Sequence, residues 1–437
     1  MHPRILIVGT VPYNKRSSSR AFEAYFHNWE KENCAQIFSD PKKPCKGHCR
    51  TLYQITDHSL LARWMGKKNE IGTIFHYDDL EDEWSTNDLE VESKTAQKAY
   101  KFGRKHTPLT HILRGILWKK RFWCTKKLND WLDEFKPECV FLSFSDDYFI
   151  LKIALYVAKR YNIPIVSSIG DDYYFNKHFS LSPFYQIYKE TYKSLVRKTL
   201  SHFGSSIYIS DKIRDKYNSE FGLDGETVYL TSNVKRRELA PINTSAPVIT
   251  YFGNIRMGRN NSLNDIGLAL SQINPDYKLE VYSGEQDEQF YKIFDNNPNV
   301  KYCGAVPYSQ VEKRMNESDI TVIVEGFRKK DIELSRYSLS TKAADALASG
   351  CGILTYGSQE CGIVEYMQST EASIVCTDKK NLVADILKLL NDYDLKEKQY
   401  NNAIKMTIAH HNLSSSCATF ETVVSNAINK GVKNVER

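Results

Sequence analysis

Long apolar runs are missing. No window of the 437-residue chain approaches the ~20 consecutive apolar residues that a membrane-spanning helix needs. The start, MHPRILIVGT, has neither an apolar core of signal-peptide length nor a small-residue cleavage site, so nothing in the sequence is expected to secrete or anchor the chain. A dominant charge is missing too: 59 Lys+Arg against 53 Asp+Glu leave +6, which suits anionic ligands or an anionic membrane face and gives no reason to expect nucleic acid. Repeats of solenoid period and low-complexity tracts are absent, which excludes arrays and disordered architectures. A Walker A loop is absent, and ILIVGTVP does not match G-x-G-x-x-G, so a nicotinamide site is disfavoured. No H-E-x-x-H occurs. Cys45, His48 and Cys49 lack a second ligand pair at zinc-ribbon spacing, so no metal site is expected.

What is present is the make-up of an ordinary soluble protein. Apolar residues are 41% and charged residues 26%, and the length allows two or three domains with real cores. Ten cysteines are scattered along the chain, several inside apolar runs, which fits a reducing cytoplasm better than a disulfide framework. The 27 Tyr, 20 Phe and 6 Trp suit stacking surfaces for sugars or bases, and suit cores still better.

Short β-branched runs alternate with helical patterns. RILIVG is followed by a polar loop and AFEAYFHNWEK; CVFLSF leads into Ile150 to Tyr161; IPIVSSIG has a proline as its second residue. That grammar predicts parallel sheets with helical crossovers. Residues 40–130, with a charged segment from Asp78 to Glu92, interrupt it as an elaboration. LAPINTSAP (239–247) breaks both periods and reads as a linker. The grammar restarts at VITYFG and continues to GILTYG. The expected organisation is therefore an α/β chain of two doubly wound Rossmann-like domains facing across a deep cleft, residues 1–240 and 247–409, with a C-terminal helical segment, 410–437.

Two segments carry chemistry. In YFGNIRMGRNN, Gly253 and Gly258 allow close backbone approach, while Arg256 and Arg259 offer forked donors to phosphate oxygens. A loop with two surface arginines is the plainer alternative. In YSLSTKAADALASG, Ser338 or Ser340 can cap a helix whose first turn holds Thr341 and Lys342, so that free N–H groups and a cation meet where a phosphate would bind. Asp345, one turn further on, can accept from a ribose diol; a capped helix with an incidental Lys and Asp is the competing reading. The basic stretch KKRFWCTKK (119–127) suits an anionic membrane surface or a solvated helix face.

In order, YFGNIRMGR, NVKYCGAVPYSQVEKRMNESDITVIVE, SLSTKAADALASGCGILTYG and GIVEYM resemble the donor domain of GT-B glycosyltransferases of the glycogen-synthase-like group, family 4. Sequences with S-T-K before the helix resemble a bacterial branch linked to surface-polysaccharide synthesis, such as capsule, O-antigen or exopolysaccharide. The family's two glutamates, with seven residues between them, correspond here to Tyr337 and Asp345, and Gly170 stands where the family has a histidine before an aspartate. The resemblance implies that Ser340, Thr341 and Lys342 line a diphosphate and that Arg259 neutralises it. It also implies that Cys303 to Val306, including Gly304, approach the base, that Asp345 holds the ribose, and that Glu325 serves the sugar side. Asp171 and Asp172 then orient the acceptor or sugar hydroxyls, or simply cap a turn. The final helix crosses back to the first domain.

The implied activity is transfer of a sugar from a UDP- or GDP-linked donor to a glycan or lipid-linked saccharide, with retention, without a metal or other cofactor, in the cytoplasm or at the inner face of the membrane. A peripheral contact with an anionic membrane is left open. A sugar-nucleotide epimerase on the same fold and a non-catalytic glycan- or partner-binding subunit are the alternatives.

Overall fold

The first strand, β1 (Ile5–Val8), is buried at every residue. Neighbouring side chains on a strand point to opposite faces, so its sheet is covered on both sides, as a parallel sheet with crossover helices requires. The computed structural model describes residues 2–13, 20–82, 107–175 and 180–435. Residues 14–19 of the loop after β1, and residues 83–106 of the 40–130 elaboration with its charged segment, lie outside the described residues.

The chain divides into two units, residues 1–228 with 417–437, and residues 229–416. In the first, β1 is joined by β2 (Cys34–Phe38), β3 (Thr51–Gln54), β4 (Thr73–His76), β5 (Cys139–Ser143), β6 (Ile165–Ile169), β7 (Gly204–Tyr208) and β8 (Glu226–Thr227). Their order is β4-β3-β2-β1-β5-β6-β7-β8, parallel except where β4 runs against β3. Ile5 pairs with Cys34 on one side and Cys139 on the other. The helix Tyr148–Tyr161 carries Lys159 and Arg160 in its last turn, where cations suit the helix dipole, and Asn162 closes it in the left-handed conformation. From Cys417 on, the long helix Leu413–Val435 belongs to this unit. Its Phe420 stacks on Tyr25 at 5.3 Å and meets Phe26 and Phe141 edge-on at 5.1 and 5.5 Å.

The second unit holds β9 (Ile249–Phe252), β10 (Leu279–Tyr282), β11 (Val300–Gly304), β12 (Ile320–Val324), β13 (Gly352–Tyr356) and β14 (Ile374–Cys376), all parallel in the order β11-β10-β9-β12-β13-β14. Counted within the unit this is 3-2-1-4-5-6, the dinucleotide-fold order. Leu263, Ile266 and Leu270 of the helix Arg259–Ile273 are fully buried with Tyr251, Val281 and Val324 of the strands. Such a sheet opens where its winding reverses, here between β9 and β12, and ligands bind beyond the carboxyl ends of that strand pair.

All ten cysteines are free thiols. No described helix is long and apolar enough to cross a membrane.

Candidate functional site

The two strands that flank the reversal end in candidate residues. β9 stops at Phe252 and is followed by Gly253; β12 stops at Val324 and is followed by Glu325. The loop after β9 is tightly wound: Gly253, Met257 and Gly258 have φ of 140°, 57° and 77°. A non-glycine residue at positive φ is uncommon and marks a constrained backbone. A side chain at Gly258 would place its Cβ 2.5 Å from the Asp331 carboxylate, so this position needs glycine for space as well as for φ.

That turn starts the helix Arg259–Ile273 and points Arg259 inward. Its Nε and Nη2 donate to the two Glu325 oxygens at 3.1 and 2.8 Å, a forked ion pair in which Arg259 is 8% and Glu325 2% exposed. Burial disfavours the guanidinium charge, and Glu325 more than restores it, so Arg259 sits above its ordinary pKa. Glu325 is held in turn: its N–H donates to Tyr356 O at 3.0 Å, and Ser262 Oγ donates to its carbonyl at 2.7 Å. The Arg259 Nη1 finds no acceptor among the described residues.

Lys342 arrives from a different element. Ser340 caps the helix Thr341–Ser349 by accepting from the Lys342 N–H at 3.3 Å, which leaves the Thr341 N–H at the helix start without an acceptor among the described residues. The Lys342 ammonium reaches back to β9, donating to Tyr251 Oη at 3.0 Å, and Tyr251 donates on to Asn254 O at 2.6 Å. Gly253 makes room for it, since a Cβ there would lie 2.8 Å from Lys342 Cε and 3.2 Å from Nζ. The residue as a whole is partly accessible, but its ammonium end is packed among Tyr251, Gly253 and the Arg259–Glu325 pair. Desolvation, reinforced by the Arg259 charge and opposed by Glu325, lowers its pKa to about 7. Two cations and one carboxylate thus share the carboxyl end of the β9/β12 pair. Arg259 and Glu325 lie close enough to Lys342 for their charges to shift it in opposite directions.

The other expected residues are distributed. Arg256, three residues before Arg259, points outward and pairs with Glu285 at 2.5 Å and 2.9 Å, so it does not join the cluster. Gly304 ends β11, two strands from β9, at φ 70°, and Val306 packs on the apolar group of Val234, Phe252, Tyr282 and Met315, which includes the last residue of β9. Asp345 is buried and accepts from Ser232 Oγ at 2.6 Å. Asp171 is in the other unit, exposed, beside Asp172, which accepts from the N–H groups of Tyr174 and Phe175 at 3.1 and 2.9 Å and so closes a turn. Among the described residues, no three His, Cys, Asp or Glu side chains gather as metal ligands would.

Two participants were not singled out from the sequence. Tyr251 was visible only as a strand residue; a polar-tipped aromatic at the end of a buried strand was the available signal. Ser232, 113 residues from Asp345, had no local signature; His411, in the break between the helices Tyr393–Ala409 and Leu413–Val435, could be placed at a helix junction from the sequence, but its partner Leu230, 181 residues away, could not. His411 Nδ1 donates to Leu230 O at 2.6 Å, its Nε2 accepts from Tyr366 Oη at 2.9 Å, and burial lowers its pKa to about 4.

No protein-family model and no curated protein sequence matches the chain. Solved structures do. A sucrose-phosphate synthase from Thermosynechococcus elongatus is 12% identical over 98% of this chain and 99% of its own, with a TM-score of 0.57. Anabaena HepE in complex with UDP-glucose is 12% identical over 97% and 100%, at 0.60. TarM from S. aureus, crystallised with UDP among its ligands, is 11% identical over 68% of this chain and 57% of its own, at 0.50. These neighbours are GT-B glycosyltransferases, and at such identities the likeness is one of fold: the chain has the GT-B fold.

Proposed function

We propose that this chain is a glycosyltransferase that moves a sugar from a UDP- or GDP-linked donor to a glycan or lipid-linked saccharide. The observation that carries the reading is the meeting of Arg259, Lys342 and the start of the Thr341–Ser349 helix beyond the β9/β12 pair, where this sheet order binds nucleotides. One fold neighbour, Anabaena HepE, solved with UDP-glucose and with UDP, lends support.

The difficult step is departure of the nucleoside diphosphate. Negative charge grows on the leaving phosphate as the bond to the anomeric carbon breaks, and donors already fixed in place stabilise that charge more than the ground state. Glu325 fixes Arg259, and Tyr251 with Gly253 fixes Lys342. Fixed cations supply the charge that a metal would otherwise bring, so the reading is metal-independent; retention of configuration comes from the family resemblance. Asp345, bonded to Ser232, is the proposed ribose partner; Gly304 to Val306 the base side; Glu325 the sugar side; Asp171 the acceptor side. Surface-polysaccharide synthesis, the cytoplasm and peripheral contact with an anionic membrane complete the proposal.

A panel of nucleotide sugars tests it. Turnover only when acceptor is added supports transfer; turnover without acceptor indicates an isomerase; binding without turnover indicates a non-catalytic subunit, which the replacement of the family's Glu and His by Tyr337 and Gly170 would fit. Lys342→Ala and Arg259→Ala are each expected to lower the rate by about 2.7 to 4 kcal/mol in barrier terms. Near-normal rates in both would refute the assignment.

A further inference from the structure

The helix Pro108–Leu117 is turned inside out. It buries Thr110, His111 and Gly115, and it exposes Leu109, Leu113 and Ile116 at 39, 48 and 40%. Those three positions, spaced by four and three, form one apolar stripe, which a helix of a soluble domain ordinarily faces to its core. Polar anchoring holds the inverted orientation. Arg114 donates to Asp57 at 3.0 Å and also pairs with Asp147, and Tyr148 Oη donates to His111 O at 3.0 Å. Adjacent to it lies the helix Pro183–Leu200, joined by Tyr188 stacked on His111 at 4.6 Å. Its start also shows apolar residues to solvent: Phe184 at 49%, Ile187 at 56% and, just before, Leu181 at 87%.

The chain leaving the first helix runs into Lys119, Lys120 and Arg121, all exposed and none with a carboxylate partner among the described residues. Lys120 lies over the Tyr156 ring at 4.3 Å and Arg121 over Phe122 at 4.6 Å. Lys120 also edges an open cavity of about 640 Å³ together with Trp123, Lys152, Tyr156 and Lys159. Lys152 is depressed by desolvation and by the charge of Lys119, whereas Arg160, on the same cavity, is paired with Asp133 at 2.8 Å. On the apolar side, Glu190 is an exposed carboxylate of the second helix.

We infer that this face of the first unit docks on an anionic lipid bilayer, with Leu113, Ile116, Phe184 and Ile187 entering the interfacial layer and Lys119, Lys120 and Arg121 meeting lipid phosphates. An exposed apolar stripe beside unpaired cations is the pattern of a helix that lies in a membrane surface, and the bilayer supplies both the apolar depth and the negative charge that the face lacks. The inference rests on the proposed function in one respect: a lipid-linked acceptor is presented at such a surface. Binding to lipid requires no sugar transfer, so the two can fail separately.

Co-sedimentation of the full chain with vesicles tests it. The chain is expected to bind vesicles of phosphatidylcholine with phosphatidylglycerol, to release them in high salt, and to bind phosphatidylcholine alone much more weakly. Leu113→Glu with Ile116→Glu should reduce binding at least ~tenfold. Lys119→Ala and Arg121→Ala, which touch no core, should each reduce it roughly fivefold on the anionic vesicles. Thermal melting and calorimetric titration with nucleotide sugar on the same samples establish that fold and donor site are intact. Three results would overturn the inference: no binding by the parent chain, equal binding by all variants, or self-association abolished by the Glu variants with no vesicle binding.

Discussion

On the proposed function, Lys342 makes donor binding a proton-uptake reaction. In the free protein its ammonium is desolvated and repelled by Arg259, and its pKa falls to about 7. At about pH 8 roughly one Lys342 in ten keeps its proton. A bound diphosphate adds at least one negative charge beside the nitrogen, which favours the charged form and raises its pKa back toward the ordinary range. Binding at about pH 8 should therefore take up close to one proton, and affinity should fall up to ~tenfold per pH unit above about 7, levelling off below it. The assay is calorimetric titration with a nucleotide sugar in buffers of differing ionisation enthalpy; the diphosphate of a nucleotide sugar is fully esterified at its ends and does not itself titrate there. A plot of heat against buffer enthalpy should have a slope near one proton at the higher pH and near zero at about pH 6. Lys342→Met should abolish the uptake and bind more weakly at low pH. A slope of zero in the parent chain, or the same slope in Lys342→Met, would refute the reasoning.

Glu325→Ala leaves the Arg259 guanidinium buried without its carboxylate, and loss of one partner from such a pair costs about 3 to 5 kcal/mol; urea unfolding at neutral pH should show it, and unchanged stability would mean the pair is not formed. Gly253→Ala puts a Cβ 2.8 Å from Lys342 Cε at a φ of 140°, so donor affinity should drop ~tenfold or more while the melting profile stays cooperative. His411 is held neutral, with its pKa lowered to about 4. The unfolded chain binds the proton first, so stability should fall as pH drops from about 6.5 to about 4, by up to about 3 kcal/mol, and His411→Gln should lack that part of the acid slope.

Much of the second unit was legible because its strands and helices announce themselves locally: VITYFG, KLEVYSG and DITVIVEG are short β-branched runs that end near glycine, and STKAADALASG has a serine cap and a glycine stop. The convergence of Arg259 and Lys342 could be argued because both lie at strand ends or helix starts, the places where a doubly wound sheet collects function. Which arginine turns inward was not legible. Arg256 and Arg259 sit in one loop, and the difference is made by Met257 and Gly258 at positive φ, which start the helix at Arg259 and leave Arg256 to Glu285. Gly253 was read as room for a ligand, and its immediate neighbour is the Lys342 side chain. Asp345 with Ser232 and His411 with Leu230 are long-range pairings set by topology, and no spacing in the sequence encodes them. The apolar stripe of Pro108–Leu117 shows the limit of periodicity: the pattern marks a face, and only the buried partners of His111 and Arg114 decide which way that face turns.

A crystal structure of the full chain soaked with a nucleoside diphosphate tests the central claim most directly. The account predicts both phosphates beyond the ends of β9 and β12, within hydrogen-bond reach of Lys342 Nζ, the Thr341 N–H and Arg259 Nη1. Phosphates bound elsewhere in the second unit, with Lys342 still donating to Tyr251 alone, would contradict it.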